Sequence, residues 1–164
     1  MFKYDVYLAG PFFNDVQKAR MDLAKSYLVE AGLKVADPRE LGPVIVDAAA
    51  DAKTPKFFSD IFDGNIEGME QSFMIVASID DKDTGTAFEL GWGYGSGKLM
   101  MSFAFEGGKT NVMLGQAVDH HFSSEQEFRD FFKNCQHIIR SGDALNLLFE
   151  IGVFGFGTKA EANE

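Results

Sequence analysis

Phe73–Ile79 is a near-continuous apolar run, and it reads as a buried strand. The acidic, glycine-containing turn Asp80-Asp81-Lys82-Asp83-Thr84-Gly85 follows it, and Thr86–Gly97 then takes up a helical pattern. A buried strand passing through a tight turn into a helix points to a parallel sheet covered by helices. Within that helix a single carboxylate, Glu89, stands among Ala87, Phe88, Leu90 and Trp92. Burying a carboxylate among apolar neighbours is costly unless the group has a task. The C-terminal edge of the strands is also where ligands bind in an open α/β sheet.

The rest of the chain repeats the alternation. Tyr4–Ala9 reads as a first strand closed by Gly10-Pro11. A helix capped by Asn14 or Asp15 runs to about Ala31, with Val16, Ala19, Leu23, Tyr27 and Ala31 as its apolar line and Gly32 as its stop. Leu33–Ala36 is a short strand, and Asp37-Pro38-Arg39-Glu40 begins a loop. Residues 41–55, with Pro43, Pro55 and the run Ala48-Ala49-Ala50, read as a loop or lid with room for one helical turn. Phe57–Ser72 is helical in pattern despite Gly64 and Gly68. Lys98–Phe105 is the fourth strand, Asn111–Val118 a short helix and His120–Phe122 a short fifth strand. Ser124–Asn134 is a helix capped by Ser123 or Ser124, and Gly142–Phe149 a last helix. The expected architecture is a flavodoxin-like or Rossmann-like doubly wound parallel sheet. It forms one domain over residues 1–157, followed by a polar, frayed tail, 158–164.

A formal net charge of −10 disfavours a nucleic-acid polymer or an anionic membrane as partner and leaves small neutral ligands open. No apolar run has the length of a membrane-spanning helix. The one cysteine, Cys135, rules out an intrachain disulfide and makes the cytoplasm the expected compartment. His120, His121 and His137 have no metal-ligand spacing and read as loop or interface histidines. Neither a dinucleotide fingerprint nor a P-loop is present, because Gly10-Pro11-Phe12-Phe13 lacks the later glycines that admit a pyrophosphate.

Three strand ends bring chemistry to one crevice. The first supplies Tyr7 and the turn Gly10-Pro11-Phe12-Phe13, the third supplies Asp83, Gly85 and Glu89, and the loop after the fourth supplies Asn111 and Met113. A carboxylate held by a phenol suits nucleophilic attack at a sugar carbon. Phe12 and Phe13 offer faces for a planar base, with close approach at Gly10. Each residue also has an ordinary explanation. Glu89 is equally a carboxylate favoured by a helix N-terminus. Tyr7 and the Phe pair suit a core, and Asp83 and Asn111 suit helix caps. Convergence on one crevice is what favours chemistry.

Taken together, Tyr7-Leu8-Ala9-Gly10-Pro11-Phe12-Phe13 and Asp83-Thr84-Gly85-Thr86-Ala87-Phe88-Glu89-Leu90-Gly91 resemble the signatures of the nucleoside 2-deoxyribosyltransferases. The similarity is clearest over the first two-thirds of the chain. It includes Asp37-Pro38-Arg39-Glu40, Asn65-Ile66-Glu67-Gly68-Met69 and Asn111-Val112-Met113. The resemblance implies a flavodoxin-like fold and a two-step exchange of bases on 2′-deoxynucleosides, with no metal or organic cofactor. Glu89 matches the family nucleophile, Tyr7 the residue that holds it, and Asp83 a ligand of the sugar hydroxyls. Gly10 and Gly85 fall within the two signatures, and Phe12 and Phe13 match positions that pack on the base. Asn111 and Met113 match residues lent by a neighbouring subunit. The substrates implied are 2′-deoxynucleosides and free nucleobases, and the assembly implied is a homo-oligomer, a hexamer or another dimer-based form. Asn65 stands where the family usually has an Asp that handles the base and its proton; an amide donates and accepts but does not titrate.

Two rival functions share these residues. A deoxynucleoside 5′-monophosphate N-glycosidase needs a phosphate cradle after the first strand, and Phe12-Phe13-Asn14-Asp15-Val16 has no Arg there. A catalytically silent nucleoside-binding module is the other.

Overall fold

The structure, a computed structural model, describes residues 2–42, 54–107, 110–136 and 162–163. Strands β1 (Tyr4–Ala9), β2 (Val35–Ala36), β3 (Ser72–Ser78) and β4 (Leu99–Phe103) are followed by the two-residue β5 (Thr110–Asn111), by β6 (His120–Phe122) and by β7 (Ala162–Asn163). Five of them form one parallel sheet in the order β2-β1-β3-β4-β6. The chain leaves β1 toward one edge and returns on the other side of it as β3. That reversal of strand order is the topological switch point of a flavodoxin-like sheet.

Helices cover both faces because the strand residues alternate in direction. Val6, Leu8, Met74, Val76, Met101, Phe103 and Phe122 turn to one face. There they pack on α1 (Asp15–Glu30) and α6 (Glu125–Asn134) through Met21, Ala24, Leu28, Phe128 and Phe132. Tyr7, Ala9, Ile75, Ala77 and Met100 turn to the other. They meet α3 (Pro55–Glu70), α4 (Thr84–Gly95) and α5 (Val112–Ala117) through Met69, Leu90 and the half-buried Ile66, Trp92 and Leu114. The helices start where side chains cap them: Asn14 accepts from the Gln17 N–H, Asp83 from Thr86 and Ser124 from Glu127.

The expected strand Tyr4–Ala9 is β1 with the same bounds, and His120–Phe122 is β6. Elsewhere the structure differs from expectation. The buried side of α1 is Arg20, Met21, Ala24 and Leu28, while Val16 of the expected apolar line is exposed. Both lines have helical spacing, and sheet packing selects the one carrying Met and Ala. Asp37-Pro38-Arg39-Glu40 is not the start of a loop but caps and begins a helical turn, α2 (Pro38–Leu41), with proline in its first turn. His120 and His121, expected in a loop or interface, are buried in β6, where His121 Nδ1 is 2.9 Å from the Ser102 hydroxyl. Thr110–Asn111 forms β5, and within the expected frayed tail Ala162–Asn163 pairs with it in parallel as β7. Of the expected lid, residues 43–53 lie outside the described residues, as do His137 and the expected helix Gly142–Phe149.

The glycines that weaken the helical pattern of α3 have a packing reason. A Cβ on Gly64 would lie 2.8 Å from the Leu41 carbonyl oxygen, and one on Gly68 would lie 2.3 Å from the Leu41 side chain and 3.3 Å from the Tyr7 ring. Two glycines four residues apart give α3 a flat stripe. Along it, α2 and β1 approach more closely than any larger residue permits.

Candidate active site

Tyr7 lies on β1 and Glu89 in the second turn of α4, on opposite sides of the switch point. The Tyr7 hydroxyl donates to Glu89 Oε1 at 2.5 Å. Tyr7 is completely buried, packed beneath α3 at Gly68. Burial is the largest influence on Glu89 and pushes its carboxyl up to about 7; the Tyr7 hydrogen bond opposes that rise and the charge of Asp83 adds to it. The Tyr7 phenol is raised far above its ordinary value, first by burial and then by Glu89, so it stays a neutral donor at every ordinary pH. This pairing orients one carboxylate oxygen, keeps the group poised between its acid and base forms, and fixes the phenol as donor.

Asp83 caps α4. Its Oδ2 accepts from the Thr86 N–H at 2.7 Å and from the Thr86 hydroxyl at 2.8 Å. It stands six residues before Glu89 in the sequence, and its charge is felt there. Gly85 is exposed in the first turn of α4, where a Cβ would lie 3.1 Å from Asp83 Oδ2.

Gly10 closes β1. A Cβ there would fall 2.5 Å from the Met21 thioether and 3.3 Å from the Ser78 side chain. The missing side chain therefore lets β1 pass under α1, a role in packing that the sequence did not reveal. Phe12 and Phe13 do not act as a ring pair. Phe12 is half-buried against the α1 side of the core, with the Arg39 guanidinium 4.5 Å above its ring. Phe13 is 81% exposed, and its N–H donates to the Gln17 side chain.

Asn65 sits on α3, half-buried, and its Oδ1 is buried without a hydrogen-bond partner among the described residues. A buried amide oxygen in that state is uncommon and invites a donor. Asn111 caps α5, accepting from the Met113 N–H at 2.8 Å, and Met113 is 74% exposed. Neither hydrogen-bonds to Tyr7 or Glu89 among the described residues.

Two groups escaped the sequence. Asp37, buried at the end of β2, receives both Nε and Nη2 of Arg39 and the ammonium of Lys25 at 2.7–3.0 Å. Burial works against its ionisation, but the hydrogen bonds from Arg39 and Lys25 hold its carboxyl below the usual range. It thereby anchors the Arg39 guanidinium over Phe12. Arg20 of α1 is buried among three carboxylates. The first lay in a segment that carried the family resemblance and a loop signal but no role for Asp37, and an arginine inside a helix gave the second no signal. No group of three or more His, Cys, Asp or Glu among the described residues is arranged to hold a metal, and none of their helices is long and apolar enough to cross a membrane.

Comparison with known proteins adds to this geometry. The family model for "Nucleoside 2-deoxyribosyltransferase" matches residues 6–148. The chain is similar to a solved structure from a characterization of the 2-deoxyribosyltransferase of the psychrotolerant bacterium Bacillus psychrosaccharolyticus. The identity is 29% and the TM-score 0.67, over 76% of this chain and 90% of that one. It is also similar in fold to a conserved protein from Enterococcus faecalis V583, with 17% identity and a TM-score of 0.61, over 79% of this chain and 97% of that one. No curated protein sequence matches.

Proposed function

The chain belongs to the nucleoside 2-deoxyribosyltransferase family, and from that membership we propose that it exchanges nucleobases on 2′-deoxyribose through a covalent glycosyl–Glu89 intermediate. The observation that carries this is the half-buried Glu89 carboxyl, held by the Tyr7 hydroxyl at 2.5 Å across the switch point. In its ionised form Glu89 attacks C1′, forming a C–O bond as the glycosidic C–N bond breaks. The bonding pair leaves with the base nitrogen, which takes up a proton. A second base then attacks C1′ through a ring nitrogen, which gives up its proton to solvent, and the bonding pair of the C1′–O bond returns to Glu89. Two displacements retain the configuration.

Tyr7 ties down one carboxylate oxygen so that the other attacks, an economy of orientation rather than of charge. Asp83, fixed by its cap geometry beside Glu89, receives the sugar hydroxyls. Asn65, with its unpartnered amide oxygen, meets the base edge, and the Phe12 face braced by Arg39 packs on the base, with Phe13 at the rim. Gly10 and Gly85 keep the two turns close to the ligand. An amide at Asn65 does not supply the proton for the leaving base, which then comes from solvent or from another group.

The outward display of Asn111 and Met113 favours their serving the site of a neighbouring copy in a dimer-based homo-oligomer. A role in nucleoside salvage follows from the substrates. The chain's one cysteine, the buried Cys135, suits the reducing cytoplasm.

The test is base exchange between a 2′-deoxynucleoside donor and a free acceptor base. Wild-type protein forms the new nucleoside, and a folded E89A variant forms none. Normal exchange by E89A removes Glu89 from the chemistry. Free deoxyribose that accumulates equally with and without acceptor identifies a hydrolase instead.

A further inference from the structure

Arg20 is 8% exposed in the middle of α1. Its Nε lies 3.2 Å from Asp80 Oδ2, its Nη1 donates to Asp81 Oδ2 at 2.6 Å, and its Nη2 donates to Glu106 Oε1. The Asp80 side chain is almost inaccessible, and its oxygens also accept from the Phe105 and Glu106 N–H groups at 3.0 and 2.9 Å. One guanidinium thus joins α1, the turn after β3 and the turn after β4, all at the C-terminal edge of the sheet.

Such a cluster is a poor device for stability alone. Three carboxylates face one cation. The Arg20–Asp80 pair is buried, and such a pair is often replaced by apolar groups of equal volume without loss. Asp81 and Glu106 are open to solvent, where ion pairs contribute little. What a planar fork with fixed donors provides is geometry. The residues it grips begin the turn that ends at Asp83, the cap of α4, and Glu89 stands in the second turn of that helix. The helix it projects from is entered through the turn that carries Phe12.

We propose that Arg20 is a positioning residue, which locks the β3–α4 turn to α1 and so sets where Asp83 and Glu89 stand relative to Tyr7. This rests on Glu89 being the group that attacks. The arrangement acts on orientation and leaves ground-state affinity for the nucleoside largely untouched, so its loss falls on kcat more than on KM.

The experiment compares R20M, R20K and D81A with wild type in base exchange and in backbone deuterium uptake. The core variant F132L serves as a control for lost stability. D81A keeps Arg20 paired with Asp80 and Glu106 and removes only its grip on Asp81, so it loosens the turn in part even where R20M folds poorly. The expected result is a fall in kcat of at least tenfold in R20M and at least threefold in D81A, with KM within threefold of wild type and partial recovery in R20K. Uptake rises across residues 80–88 and not in β1 or α6. Folded R20M and D81A with kcat within twofold of wild type overturn the proposal. So does a loss no larger than that of an equally destabilised F132L, or unchanged uptake across residues 80–88. Should wild type exchange no bases, the assignment of Glu89 fails, and uptake across the turn still decides whether Arg20 positions it.

Discussion

Gly68 of α3 lies against the ring of Tyr7, where a Cβ would sit 3.3 Å from two ring carbons. The phenol that holds Glu89 is thus itself held by the absence of a side chain on a neighbouring helix. G68A pushes on Tyr7 and Leu41 together. Leu41 yields at its flexible end, whereas Tyr7 is fully enclosed. The expected cost is ~1–3 kcal/mol of stability, read by denaturant unfolding. A loss of exchange activity larger than the unfolded fraction accounts for is also expected. G68A with wild-type kcat shows that the Tyr7 ring has room to spare.

Y7F removes the donor and leaves the ring. A hydrogen bond to a charged group contributes about 1.5–3 kcal/mol, so kcat should fall roughly 10- to 100-fold. The same change withdraws the one influence that lowers the Glu89 pKa. The acid limb of kcat/KM therefore moves to higher pH in Y7F. A limb that stays in place separates Tyr7 from Glu89 functionally.

Activity in wild type should rise with pH through about 7, as burial holds the proton on Glu89. Stability should move the other way. The ordinary value for this carboxyl is 4.5, and the folded value is about 7. Between these, the folded protein keeps a proton that the unfolded chain has released. Stability contributed by protonated Glu89 is therefore complete below about pH 4.5 and is lost as pH rises to about 7. E89Q removes this slope and should be more stable than wild type at pH 8 by roughly 1–3 kcal/mol. Parallel unfolding curves at pH 5 and pH 8 check this; equal pH dependence in the two proteins contradicts the burial of Glu89. D83N keeps the cap, since Asn is as good as Asp there, but removes the charge that raises Glu89. Its acid limb should shift to lower pH.

Much of this was legible in the chain. The apolar run before Asp80 set the central strand, and Asn14 and Ser124 announced their helices as caps. Glu89 stood out because a carboxylate among apolar neighbours needs a reason. What escaped depends on partners distant in sequence. Arg20 pairs with residues 61 and 86 positions away, and a buried arginine has no periodic signature. Gly68 read as a weakness of α3 until Tyr7 and Leu41 were seen against it. Of the expected line on α1, Ala31 and Tyr27 do pack on the core while Val16 and Ala19 face solvent, because two adjacent helical lines run along α1 and only the sheet chooses between them.

Asn65 offers a test of base recognition that spares the nucleophile. N65A removes the unpartnered amide and should raise KM for donor and acceptor bases about tenfold, by loss of one hydrogen bond, while E89-dependent exchange persists. N65D brings a titrating group to the same place and should alter both base preference and the pH profile. An unchanged KM in N65A places the base elsewhere.

The most direct measurement is intact-mass and peptide mapping after incubation with a 2-fluoro-substituted 2′-deoxynucleoside, whose electronegative substituent slows release of the sugar. One fluorodeoxyribosyl group per chain, on the peptide carrying Glu89 and absent from E89Q, is the predicted result. Adduct on another residue, or none from a preparation that still exchanges bases, contradicts a glycosyl–Glu89 intermediate.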